Sequence, residues 1–160
     1  MPKSQDIFTL WVISGIVGVV IRDFYSFLAK SFGLTKYFIW TVGADIFIES
    51  KEFNTLQGHL IGFISDLVIG GTLGVLIGLA LKWFGPKNYW LKGLGVGLFA
   101  WLAFFGVLLQ NLPHMSVLSN VPATTEINAF VEHAIFGLVT AWTYLKLTSS
   151  RALAEKRGQK

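Results

Sequence analysis

The sequence predicts an all-α, polytopic membrane protein: four transmembrane helices, with a short interfacial or re-entrant segment between the first and second. Three observations carry this. The 160 residues are 53% hydrophobic and only 14% charged, with a mean hydropathy of +0.60, whereas soluble domains carry about 25% charged residues. Four runs reach the length of about 20 mostly apolar residues that a bilayer crossing needs. Seventeen glycines and fourteen phenylalanines suit helices that pack in lipid, where glycine is tolerated at contacts. The chain has no cysteine, which excludes disulfides, thiolate metal sites and cysteine nucleophiles.

The spans are expected over residues 7–29, 56–81, 89–109 and 127–147, forming a single transmembrane domain within residues 1–150. The first has a weak basic start (Lys3 beside Asp6), no small-residue cleavage site and a charged Arg22-Asp23 pair near its far end; it is read as a retained helix and not a signal peptide. Residues 37–48 are apolar but too short to cross, and suit an interfacial or re-entrant piece. Gly85-Pro86 marks a tight turn between the second and third spans. Gln110 and Asn111 close the third span, Pro113 and Pro122 bracket the link to the fourth, and Thr124 or Thr125 is placed to cap it.

Orientation follows lysine and arginine. With the N-terminus cytoplasmic, the inner side receives Lys3, Lys82, Lys87, Lys92, Lys146, Arg151, Lys156, Arg157 and Lys160, and the outer side only Lys30, Lys36 and Lys51. Both termini are therefore expected inside, and residues 151–160 form a basic cytoplasmic tail. Trp11, Trp83, Trp90 and Trp142 fall near inner ends, Tyr25, Tyr37 and Trp40 near outer ones, as interfacial aromatics do. The net charge of +4 is thus read as topology, with the tail touching anionic lipid. It is too sparse for a surface that tracks nucleic-acid phosphates. The expected partners are the lipid bilayer and a second copy or a larger membrane complex, with no nucleic acid.

The second span carries Gly58, Gly62, Asp66, Gly70, Gly74 and Gly78 at four-residue steps. Small residues at this spacing let helices approach closely. Each step turns about 400°, so the stripe drifts and only neighbouring members share a face. Span four repeats the theme with Ala129, His133, Gly137 and Ala141, and span one with Gly15, Gly18 and Arg22. In each, an ionisable residue sits among small ones, on the face that packs against other helices. His59 points with Asp66, seven residues away, while Asp23 and Glu132 lie about 100° from Arg22 and His133.

Rise per residue puts Arg22, Asp23, Glu132 and His133 roughly 8–10 Å below the outer ends of their spans. Charges within a span are costly and face a bundle interior or water. The expected site is therefore a buried polar cluster of Arg22, Asp23, His59, Asp66, Glu132 and His133. With neutral histidines its charged members leave two negative charges in excess, to be balanced by protons, a protonated histidine or a bound cation. Three uses remain open: an ion pair that fixes helix register, a proton or cation pathway, and a divalent metal site of His59, Glu132 and His133 with Asp66 or His114 as a further ligand. The metal reading would admit a hydrolase or a metal transporter. No phosphate loop, nucleophile elbow or zinc-protease signature is present; no catalytic residue and no resident cofactor is predicted, and a non-enzymatic membrane protein is expected.

The stretches "ISGIVGVVIRDFYSFLAKSFGLTKYF" and "LKGLGVGLFAW", with the glycine-rich second span and the lysine-bearing inner turn between them, resemble the YqhR-like conserved membrane proteins of Gram-positive spore-forming bacteria. The resemblance covers roughly the first two-thirds of the chain and lies in architecture and loose glycine and aromatic spacing. It implies a bacterial cytoplasmic membrane and carries no activity.

Overall fold

The structure, a computed structural model, describes residues 6–108 and 121–158. Gln110, Asn111, Pro113 and His114 lie outside the described residues. The elements are α1 (Ile7–Ser31), α2 (Ile39–Asp45), a single 3₁₀ turn (Ser50–Glu52), α3 (Leu56–Phe84), α4 (Tyr89–Trp101) running on into a π-helical stretch (Leu102–Leu108), and α5 (Ala123–Gly158). Among the described residues there is no strand.

Three helical stretches are long and apolar enough to cross a membrane: Ile7–Ser31, Leu56–Phe84 and Tyr89–Val107. At 36 residues α5 is the longest helix, but Asn128, Glu132 and His133 dilute its apolar run. It continues through Gly158, so residues 151–158 are helical. Large apolar side chains point outward on every long helix, among them Phe24, Leu60, Val68, Phe99 and Leu102, each more than half exposed. A water-soluble monomer rarely presents apolar surface on that scale.

Local chemistry sets the ends. Asp6 accepts a bond from the Phe8 N–H at the start of α1. Its C-terminus closes on Gly33 (φ +74°), with Leu34 N donating to Ala29 O and Gly33 N to Lys30 O, both at 2.9 Å. That paired pattern needs a left-handed residue, which glycine adopts without strain. Thr55 caps α3 by accepting from Gly58 N at 3.0 Å. At the other end, Lys92 Nζ donates to Phe84 O and Lys87 O, each at 2.8 Å, and so binds the α3–α4 turn across its free carbonyls.

The long helices alternate in direction, and the main contacts are antiparallel: α1 lies between α3 and α5, α5 between α1 and α4, and α2 rests on α3. Val19, Leu73, Ile77, Leu81, Ala100, Phe136 and Ala141 form the main apolar core. Where α1 crosses α3, glycine is required by distance: a Cβ on Gly15 would fall on the Gly70 carbonyl, and one on Gly74 would lie 2.7 Å from the Gly15 Cα. The α4–α5 crossing has the same character, Gly137 facing the backbone of Gly93 and Gly97. The glycine stripe of α3 is buried along its whole length, although it drifts. Gly58 and Gly62, near the start of α3, meet the 3₁₀ turn and α2. Gly70, Gly74 and Gly78, further along the helix, meet α1. The partner changes at Asp66.

This geometry separates two substitutions that share the same intrinsic helix preference. Gly74→Ala places a methyl against the α1 backbone and should cost about 1–3 kcal/mol, the usual range for overpacking. Gly95→Ala, with nothing within 4 Å of the added carbon, should leave stability unchanged or raise it. Thermal unfolding of the two variants in one detergent compares them; equal melting temperatures would contradict the close α1–α3 approach.

Candidate functional site

Where α1, α3 and α5 meet, five ionisable side chains are buried: Arg22, Asp23, Asp66, Glu132 and His133, none more than 7% exposed. Counted along the helices, Arg22 lies nine residues from the end of α1, Asp66 ten from the start of α3 and Glu132 nine from the start of α5. Each is therefore roughly 13–15 Å from its helix end, on one level.

Arg22 organises this level. Its Nη2 donates to Asp66 Oδ2 across the α1–α3 contact and to Asp23 Oδ1 at 2.8 Å, and its Nε donates to the same Asp23 oxygen at 3.2 Å. The guanidinium carbon lies 5.8 Å from the centre of the Phe136 ring, a fully buried residue of α5. Asp23 Oδ2 is buried and makes no hydrogen bond to the described residues. Glu132 stands beside the Ser26 hydroxyl, which itself accepts a bond from Ile39 N at 3.0 Å. His133 Nδ1 lies 2.8 Å from Ala129 O. A carbonyl partner calls for a proton on Nδ1, which leaves Nε2 as the open nitrogen of a neutral ring. The ring meets Phe105, of the π-helical stretch, edge-on at 5.3 Å.

His59, grouped with these residues by the sequence, has other company. Its Nδ1 accepts from Trp40 Nε1 at 3.2 Å, and it sits edge-on to Phe38 at 5.9 Å. Phe38 and Trp40 are stacked at 4.4 Å. His59 therefore fastens α2 to α3. The reason is rotational: seven residues bring His59 back to the direction of Asp66, but at its height that face meets α2. Among the described residues no three His, Asp or Glu side chains are gathered as a metal ion would need, so the set His59, Glu132 and His133 is not brought together.

Two participants were not singled out from sequence. Ser26 is four residues beyond Arg22, and Asn128 four before Glu132; the i,i+4 rule places both on the cluster's face and could have found them. Asn128 Nδ2 donates to Leu34 O at 2.9 Å and to Thr124 O at 3.0 Å, while its oxygen accepts from Tyr25 OH at 3.0 Å. It pins the start of α5 to the end of α1.

Two cavities border the cluster. The outer, about 20 Å³, is lined by Thr35, Tyr37, Thr125, Glu126 and Glu132 together with Ile39, Val42 and Phe105. The inner, about 50 Å³, is lined by Arg22, Asp66 and His133 and by the same Ile39, Val42 and Phe105. One water needs roughly 10–15 Å³ of such space and two to four polar partners, so both can hold water. Glu132 and His133, adjacent in the chain, line different cavities.

No protein-family model, curated protein or solved structure matches this chain. Fold and site define a class: an all-helical protein with three helices apolar and long enough to cross a membrane, and charged side chains buried between its helices.

The Arg22–Asp66 contact carries a direct expectation. Removing one partner of a buried pair leaves an uncompensated charge and typically costs about 3–5 kcal/mol. Asp66→Ala should therefore destabilise strongly, while Asp23→Asn, which leaves Arg22 paired with Asp66, should cost clearly less. Unfolding of both variants in mixed micelles orders them; the reverse order would remove Asp66 from its central place.

Proposed function

We infer that the chain is a four-span protein of a bacterial cytoplasmic membrane, with α5 as the fourth span and both termini cytoplasmic. In this reading the buried cluster is non-enzymatic and takes up and releases protons, or a small cation, on the outer side. The observation that carries the inference is the charge of the site: three carboxylates around one guanidinium, buried beside water-sized cavities. Two negative charges in excess are expensive in low dielectric and favour neutralisation by protons or a cation.

The cavities supply a route. Glu132 takes a proton from the outer cavity, and the neighbouring His133 exchanges it with the inner one through its open nitrogen. Ile39, Val42 and Phe105 border both spaces and form the constriction between them. In this reading α2 is a re-entrant lid: Gly43 packs against Gly62 and Ser65, roughly 9–14 Å along α3 from its outer end. The Arg22–Asp66 pair favours a second, compatible use, fixing the register of α1 against α3, since buried polar contacts can act as specificity devices.

Purified protein in liposomes with a trapped pH-sensitive dye provides the test. Under an imposed pH difference, wild type should move protons faster than empty liposomes. Glu132→Gln should return to the empty-liposome rate while keeping its fold, and Phe105→Ala, which joins the two cavities, should raise the rate several-fold. A wild type no faster than empty liposomes, with sodium and potassium gradients equally without effect, would leave the register role as the cluster's use. Topology is checked separately. Because the chain has no cysteine, single cysteines at Lys51 and Lys87 can be labelled with a membrane-impermeant thiol reagent, and only the first should react from outside.

A further inference from the structure

We propose that a pocket on the outer surface, remote from the charged cluster, binds a phosphate-bearing group. It has a volume of about 370 Å³ and lies between the end of α1, α2 and the 3₁₀ turn, lined by Lys30, Lys36, Tyr37, Thr41, Ser50 and Asn54, with the buried Phe53 beside them. No carboxylate lines it. Glu49, next to Ser50 in the chain, is engaged with Lys51 at 2.7 Å. Neither Lys30 nor Lys36 is in an ion pair among the described residues.

The lining is also partly ordered in advance. Lys30, which lines the pocket, has its Nζ 4.0 Å from the centre of the Phe38 ring, a cation–π contact that restricts where the ammonium sits. Thr41, on α2, is only 6% exposed and borders the pocket from its buried side. Two ammonium groups, hydroxyl donors and an amide, with no acid among them, match an anion with several acceptor oxygens.

Phosphate is such an anion, and the volume exceeds what inorganic phosphate alone would fill, which points to a phosphate ester. It has two sources: the headgroup of an anionic phospholipid in the outer leaflet, or a free phosphate ester in the external medium. The shared chemistry is the phosphate held by Lys30 and Lys36, with Thr41 donating from the buried side. This proposal stands apart from the proton reading, because none of its residues belongs to the charged cluster.

The test uses the full chain in an uncharged maltoside detergent and in phosphatidylcholine nanodiscs with and without phosphatidylglycerol. Bound phosphatidylglycerol is counted by native mass spectrometry, and glycerol phosphate binding is followed by calorimetry. The K30A/K36A double variant should bind about tenfold or more weakly, the loss expected from two charge-assisted contacts. Thr41→Val should weaken binding less, and K82A/K87A, at the other end of the helices, should leave it unchanged. Loss of both ligands in the double variant supports a lipid headgroup as the natural source. Glycerol phosphate binding without phosphatidylglycerol enrichment supports a soluble ester. The proposal is overturned if wild type binds neither, or if K30A/K36A binds both as wild type does. All three variants alter side chains and no glycine contact, and far-UV circular dichroism confirms their fold before binding is compared.

Discussion

The buried polar level of this molecule is arranged around the contact between Arg22 on α1 and Asp66 on α3. An aspartate side chain is short, so the pair exists only if the two backbones run close together. The glycines one and two turns inward, Gly70 and Gly74, meet Gly15 with no room for a Cβ, and that proximity delivers Asp66 to the guanidinium. The dependence also runs the other way. An arginine buried among apolar helices without its carboxylates would be untenable, so the pair fixes which turn of α1 faces which turn of α3.

The drift of the glycine stripe then explains why a fifth element is needed. A row at four-residue spacing rotates about 40° per step relative to a straight helix, so the stripe of α3 leaves α1 as it rises past Asp66. Beyond that point it would present bare backbone. Instead α2 covers it, with Trp40 and Ala44 over Gly62, and Phe53 after the 3₁₀ turn over Gly58. The Phe27–Phe38–Trp40 stack and the Trp40–His59 bond hold α2 in place. The short segment between the first two long helices is thus a consequence of helix geometry, and it forms one wall of both cavities.

Much of this was legible in the sequence, for definite physical reasons. Long apolar runs announce long helices, and four-residue glycine spacing announces close contact. Arg22, Glu132 and His133 could be set at a similar depth by counting 1.5 Å per residue, whereas Asp66 shares their level only once the true ends of the helices and the packing of α3 against α1 are known. The failures are equally specific. His59 was grouped by direction along its own helix, which says nothing about the neighbour standing there at its height. The π-helical stretch Leu102–Leu108 has no strong local signal, yet it carries Phe105 to His133. The bonds from the Lys92 ammonium to the carbonyls of the α3–α4 turn have no signal in charge counting either. Propensity and period report one helix at a time; partners are decided between helices.

The adjacency of Glu132 and His133 gains its meaning from the same reasoning. Neighbours on a helix point about 100° apart, so they cannot readily converge on one ligand, which counts against a shared metal. That angle is what two separate spaces need. Glu132 borders the outer cavity and His133 the inner, while Phe105, edge-on to the histidine, belongs to the boundary of both. In the proposed reading a proton crosses that boundary through side chains anchored to a single helical turn, with no displacement of backbone. Opening for anything larger would require Ile39 and Val42 to withdraw, and both sit on α2, the shortest helix of the bundle and the one held chiefly by contacts with α3.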